Sequence, residues 1–298
     1  MLISICMCTY KREHLRLTLQ SIARLVIPQG VDVEVLVVDN DEQLSARATI
    51  DAFQGDFPHQ LNYYSEPVKN ISAARNKLLE KARGDWIASI DDDEVADELW
   101  LLRLKETADT YAADVVFGHV VPCYPDHTPA WIKEGNFFSR KTHETGTELS
   151  SGGSGCTLIN RLFLEKNNMK FDVAYGTTGG EDAQLFFRMF CRGAKLVFCK
   201  DAIVYEGVES DRLNLSYLKK RALRVGQTYA RYRLEQATVA QKLWFTVKNM
   251  LLLICISIVS LFSYPVNKQL FLKLYLKALD KYGKVACVFS GAKVELYK

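Results

Sequence analysis

Trp86-Ile87-Ala88-Ser89-Ile90 is an apolar stretch that runs straight into Asp91-Asp92-Asp93-Glu94. Residues that suit a pleated, buried environment end abruptly in four acids, and Gly84-Asp85 breaks the chain in front of them. The pattern predicts a strand whose far end carries negative charge. Adjacent like charges repel, so such a group is costly unless a cation neutralises it. Oxygen ligands of this kind suit Mg2+ or Mn2+ held jointly with phosphates. A solvated acidic turn capping a helix at Leu99 has the same letters, so the neighbouring segments have to decide.

Toward the N-terminus the motif of apolar strand followed by polar cluster occurs twice more. Residues 2–8 stop at Thr9-Tyr10-Lys11-Arg12, and residues 33–38, apolar on both faces, stop at Asp39-Asn40-Asp41. Between them Leu15, Leu19, Ile22 and Ala23 recur at helical spacing, ended by Pro28 and Gly30. A helix near 43–53, a short strand at 61–65 and a helix over 72–82 with Ser72 as N-cap complete the first part. The first 95 residues thus alternate βαβαβαβ, the signature of an α/β, doubly wound, mostly parallel sheet. Ligands of such sheets bind beyond the C-terminal strand ends. Three polar clusters there weigh against a chance acidic turn.

A helix over 99–111 and a strand over 114–121 follow. Residues 122–155 are irregular, and loops of this length often bind ligands or act as lids. Gly152-Gly153-Ser154-Gly155 lacks the Gly-Lys-Ser/Thr of a P-loop and reads as the lining of a substrate site. Gly179-Gly180-Glu181-Asp182 combines glycines that permit close backbone approach with acids that open a helix over 183–191. A carboxylate there is a candidate general base. The five histidines show no metal-ligand spacing, and no Gly-x-Ser-x-Gly elbow is present.

The last third changes character. Residues 216–248 hold eight Lys/Arg against Glu235 alone, and 250–262 carry no charge. A basic amphipathic helix beside an apolar stretch points to an anionic membrane surface. Thirteen residues are short for a span of about 20, so a peripheral or monotopic anchor is expected, against the alternative of core helices over 243–280. The N-terminus begins directly with a strand pattern, with no basic n-region, so the active part is expected to face the cytoplasm. Composition is ordinary for a globular chain: 298 residues, 48% apolar and 24% charged, net charge +3. This excludes disordered and collagen-like classes, and the charge is too mild to argue for nucleic acid. The eight cysteines lack Cys-x-x-Cys spacing and read as reduced, buried hydrophobes.

The ordered set Cys8-Thr9-Tyr10-Lys11-Arg12, Val37-Val38-Asp39-Asn40, Ser72-Ala73-Ala74-Arg75-Asn76, Ile90-Asp91-Asp92-Asp93-Glu94 and Gly179-Gly180-Glu181-Asp182 resembles family 2 glycosyltransferases of the GT-A fold, over residues 1–210. Trp131 with Gly135, Tyr205-Glu206, and Arg221 with Gly226-Gln227 extend the similarity to bacterial exopolysaccharide transferases of the succinoglycan-biosynthesis type.

The resemblance implies a metal-dependent hexosyltransferase that inverts configuration. It would move a sugar from a nucleotide-sugar, commonly a UDP-sugar, to a lipid-linked saccharide acceptor at the cytoplasmic face of the membrane. By position, Thr9 and Tyr10 would line the nucleotide pocket, Asp39 would accept from the base and Arg75 would assist. Asp91 and Asp93 would contact ribose and metal, Mg2+ or Mn2+, with Asp92 between them. Asp182 would be the base, supported by Glu181. Relatives often carry a histidine near Tyr205, and Glu206 is a weak substitute. The expected organisation is a catalytic domain over 1–210, with a nucleotide-binding half over 1–95 and an acceptor-binding half over 96–210, then a helical membrane-associating region over 211–298. Two rivals are a metal-dependent sugar nucleotidyltransferase and a non-catalytic membrane-surface binding protein. The first is disfavoured because Thr9-Tyr10-Lys11-Arg12 has no glycine, the second by the acidic triplet and Asp182.

Overall fold

The computed structural model of the protein describes residues 1–290, so the end of the 211–298 region lies outside the described residues. The chain runs β1 (Leu2–Thr9), α1 (Leu15–Ile22), β2 (Asp32–Asp39), α2 (Arg47–Phe53), β3 (Gln60–Ser65), α3 (Ile71–Lys81), β4 (Trp86–Ser89) and β5 (Glu94–Ala96). It continues with α4 (Trp100–Tyr111), β6 (Val115–Cys123), α5 (Ala130–Gly135), β7 (Thr157–Asn160), α6 (Arg161–Lys166), α7 (Glu181–Cys191) and β8 (Leu196–Gly207). Three long helices follow: α8 (Leu215–Leu234), α9 (Val239–Ser263) and α10 (Lys268–Ser290).

All eight strands form one sheet in the order β3-β2-β1-β4-β7-β6-β8-β5. The block β3-β2-β1-β4 is parallel throughout, as the alternating first 95 residues predict. Beyond it the sheet is mixed. β7 runs antiparallel to β4 and β6, and β5 runs antiparallel to β8. β5 and β7 are only three and four residues long, too short for a readable period.

Strand residues alternate between two cores. Ile3, Ile5, Met7, Val35 and Val37 pack with Leu15, Leu19, Ile50, Trp100 and Leu104 of α1, α2 and α4. Cys6, Leu36, Val38, Ile87 and Val115 pack on the other face with Ala74, Leu78, Leu185, Phe186 and Met189 of α3 and α7. Both faces are covered, which is why these strands read as continuous apolar runs. The register sets Thr9 opposite Asp39 and Cys6 opposite Ser89, so the polar clusters after β1, β2 and β4 leave the sheet at one edge.

Several local expectations need correction. The N-cap of α3 is Asn70, not Ser72: its backbone is extended and its side chain accepts from Ala73 N at 3.1 Å. Ser72 lies buried inside the first turn. α1 ends at Ile22, well before Pro28. The acidic triplet does not cap the helix near Leu99, because β5 intervenes and Leu99 caps α4 without a side-chain bond. All eight cysteines are free thiols, as expected, but Cys123, Cys191 and Cys255 are exposed.

The chain divides into two compact units. The first holds the sheet and comprises Met1–Cys123, Arg140–Thr177 and Glu181–Gly207. The second comprises Tyr124–Ser139, Thr178–Gly180 and the chain from Val208 onward. Within the second unit α8 and α10 cross closely at two glycines. A Cβ on Gly226 would sit 2.0 Å from the Asp280 carbonyl oxygen, and one on Gly283 2.3 Å from that of Leu223. Only hydrogen fits between backbones at that distance. Arg221 stacks on Phe138 at 5.3 Å and donates to the Phe137 carbonyl at 3.2 Å.

In α9 the usual polarity is reversed. The buried residues are Thr246, Asn249, Ser260 and Ser263. Apolar side chains face outward instead, among them Trp244 at 70% and Phe262 at 77% exposure. Twenty-five residues at about 1.5 Å each exceed the thickness of a bilayer core. By length and composition α9 is the one described helix able to cross a membrane. The helix is therefore longer than the apolar run 250–262 alone, and it is not a helix buried within this chain.

Candidate active site

The site forms where β4 ends. Asp91 N–H donates to Glu94 Oε2 at 2.9 Å, which folds the acidic run back on itself. Arg75, on the second turn of α3, then reaches two separate acids. Its guanidinium donates to Asp91 Oδ1 at 3.2 Å and to Glu181 Oε1 at 2.8 Å. One cation thus joins the acidic triplet to the first turn of α7. Burial would lower the Arg75 pKa, but Glu181, then Asp91 and Asp182, outweigh it and hold the guanidinium firmly charged. Arg75 therefore pairs with acids from two elements, 3.2 Å from Asp91 and 2.8 Å from Glu181.

Asp182 lies next to Glu181 and keeps part of its surface open. Its Oδ2 accepts from Ser154 N at 3.3 Å and its Oδ1 from Ala183 N at 2.6 Å. Gly153, Ser154 and Gly155 therefore lie against these acids. A Cβ on Gly155 would lie 2.5 Å from Glu94 Oε1 and 2.9 Å from Asp91 Oδ2, so any side chain there would drive into both acids. The glycines before Glu181 turn at positive φ, 75° and 88°.

Burial pushes the Glu181 carboxyl up to about 7, Arg75 opposing and Asp182 adding to the rise. Burial likewise takes Asp92 to about 7, against the Thr9 hydroxyl beside it. Glu94 is fully buried and raised well above the ordinary carboxylate range by burial and then by Asp91. Arg12 stands 4.0 Å from Asp92 and 3.8 Å from Asp93.

At the neighbouring strand ends, Asp39 has no exposed surface. Its oxygens accept from Asp41 N at 3.0 Å, Ala46 N at 2.8 Å and the Tyr63 hydroxyl at 2.9 Å. In this structure Asp39 holds the loop to α2. Asn40 ties the loop to α3 by donating to the carbonyls of Glu66 and Val68. Thr9 is buried, whereas Tyr10 is exposed between the ammonium groups of Lys11 and Lys69, 5.3 and 5.1 Å from its ring. Glu206 accepts from Arg140 at 3.0 Å.

Asp91 and Asp93 offer the hard oxygen donors that Mg2+ or Mn2+ prefers. Among the described residues no three Asp, Glu, His or Cys side chains form a metal cage. Mg2+ at phosphate sites takes one or two carboxylates and completes its shell with substrate oxygens and water. A partly exposed Asp91 fits such a shared ion.

Residues 4–167 match the model of glycosyl transferase family 2. The chain belongs to that family. It is 36% identical over 242 residues to succinoglycan biosynthesis protein ExoM of Rhizobium meliloti, covering 81% of this chain and 78% of the relative. It is 25% identical to glucosyl-dolichyl phosphate glucuronosyltransferase of Haloferax volcanii, covering 74% of each chain. The crystal structure of S. aureus TarS 1–349 in complex with UDP matches 98% of this chain and 92% of its own, with TM-score 0.54 at 14% identity. The mixed sheet is thus a GT-A glycosyltransferase fold, and the family places glycosyl transfer above sugar-nucleotide synthesis.

Residues missed by the sequence reading include Glu94, Arg12 and Arg140. Glu94 stood visibly at the end of the acidic run, whereas Arg140 comes from the irregular 122–155 segment, where no period marks it.

Glu181 generates a pH prediction. Below pH 7 its carboxyl is protonated and the pull on Arg75 is lost; above it the pair forms. The glycosyl-transfer rate should rise between pH 6 and 8 with a midpoint near 7. Glu181→Gln should flatten that limb in a pH–rate profile. The stability sign is opposite: a carboxyl raised in the native state stabilises fully below its unfolded value, and that contribution is lost as pH rises through about 7. A limb unchanged in Glu181→Gln would assign the titration elsewhere.

Proposed function

We propose that this protein is a metal-assisted, inverting glycosyltransferase. It moves a sugar from a UDP-sugar to a lipid-linked saccharide on the cytoplasmic face of the membrane, in the assembly of an exopolysaccharide. The observation that carries the reading is the Arg75 bridge, which brings the acidic triplet and the Glu181-Asp182 pair to one partly open place. The donor half lies over 1–95 and the acceptor half over 96–210, with 211–298 associating with the membrane.

In this reading Asp182 takes the proton of the acceptor hydroxyl as that oxygen attacks the anomeric carbon. The bond to the departing diphosphate breaks on the opposite face. Ser154 N–H and the first turn of α7 orient the Asp182 carboxylate. A single displacement needs one base and no covalent intermediate. A divalent ion held by Asp91 and Asp93 would supply Lewis-acid neutralisation of the diphosphate. Thr9 and Tyr10 border the nucleotide, and Asp91 and Asp92 its ribose side.

Support for a UDP-sugar comes from the TarS complex with UDP, and support for a lipid-linked acceptor from the dolichyl-phosphate substrate named for the Haloferax relative. Membrane association is supported by α9, whose apolar side chains face outward while its polar ones face in. Exposing that surface to water is unfavourable at roughly 25 cal/mol per Å2, whereas lipid removes the cost. The basic residues of α8 add attraction to an anionic surface.

Radiolabelled nucleotide sugars screened against membrane-extracted lipid acceptors test the activity. Asp182→Asn should lower turnover by about 10^2 to 10^4 while UDP binding persists. Retained turnover would remove Asp182 from its role, and no transfer by the wild type from any donor would end the reading. In flotation, the full chain should rise with anionic vesicles, and Leu251→Asp with Leu261→Asp should leave it at the bottom. A wild-type chain that stays at the bottom without detergent contradicts the membrane part.

A further inference from the structure

Three arginines stand around the acids, and they differ in how they are held. Arg75 is locked by two acids and is only 13% exposed. Arg12 stands near Asp92 and Asp93. Arg140 is the most open of the three, at 38% exposure, and its closest partner, Glu206, is partly exposed. Behind it lies Glu94, whose Oε1 is completely buried, has no hydrogen-bond partner and stands 3.9 Å from the Arg140 guanidinium. That distance permits an ion pair but is too long for a hydrogen bond. Arg140 Nη1 and Asp182 Oδ2 also border the same small space, 3.3 and 3.5 Å from the position a Cβ on Gly153 would take. The guanidinium therefore stands near the base, a buried acid with unmet demand, and a partly exposed acid that it can leave.

A nucleoside diphosphate brings negative charge to a rim already crowded with carboxylates. Something cationic and movable has to meet it, and an arginine fork suits two phosphate oxygens. We propose that Arg140 receives the departing diphosphate, exchanging Glu206 for phosphate oxygens while Glu94 anchors it from behind. The inference rests on the donor reading above and adds a residue to it. The acceptor oxygen bonds to the anomeric carbon and its proton passes to Asp182. The bond from that carbon to the β-phosphate oxygen breaks, and its electron pair stays on the oxygen that Arg140 meets. Glu206 then serves as a resting partner that holds the fork at the rim between turnovers.

Calorimetric titration of the full-length protein with UDP and with UMP, in Mg2+, separates a diphosphate contact from a general effect on the site. The wild type should prefer UDP. Arg140→Ala should lose at least tenfold in UDP affinity with UMP affinity unchanged within twofold, and Arg140→Lys should recover part of the loss. Glu206→Gln, which removes the competing acid, should bind UDP more tightly. Equal loss of UDP and UMP, or no loss of either, in a folded Arg140 variant overturns the proposal and leaves the donor reading standing. Failure of the wild type to bind either nucleotide overturns both.

Discussion

A single buried guanidinium shared by two carboxylates is the constraint on which this site depends. Arg75 comes from α3, Asp91 from the end of β4 and Glu181 from the start of α7, so one side chain fixes the spacing of three elements. Burying an acid beside other acids is costly, and removing the cation would leave charges uncompensated in a poorly solvated place. The fork of an arginine answers both acids at once, which an ammonium on a flexible stem does not. Glu181 and Asp91 hold Arg75 charged, while burial raises the Glu181 carboxyl against the pull of Arg75.

The sheet supplies the platform. Its parallel block brings the ends of β1, β2 and β4 to one edge, and the antiparallel β7 returns the chain so that Gly153, Ser154 and Gly155 lie against Asp182, Asp91 and Glu94. Glycine at 155 is a steric requirement because the acids occupy the space a side chain would need. In the helical unit the physics is of another kind. Gly226 and Gly283 let α8 and α10 touch backbone to backbone, while α9 hides its hydroxyls and amide and presents Leu, Ile, Trp and Phe outward. Such a surface makes sense against lipid.

Much of this was legible in the sequence because it repeats. Three apolar strands with polar ends announced the parallel half, and the acids at 91–93 and 181–182 were visible as clusters. What escaped notice depended on tertiary contacts. β5 and β7 are too short to show alternation, and their pairing is set by strands far away in sequence. Asn70 displaced Ser72 as a cap because its side chain, not the serine's, reaches Ala73 N. The partners of Asp39, which are Tyr63, Ala46 N and Asp41 N, come from β3 and from the loop before α2, which no local pattern links. Arg140 lay in a segment without periodicity, and only the register of Glu94 opposite Glu206 created the acidic neighbourhood that draws it in.

The most direct measurement is glycosyl transfer by Arg75→Lys, with circular dichroism confirming the fold. Lysine keeps the charge and loses the fork, so only one of the two acids retains its partner. The account predicts a transfer rate reduced at least tenfold in a protein with an unchanged spectrum. Wild-type kcat and KM in the folded variant would contradict it, because the carboxylates would then keep their spacing without the shared guanidinium.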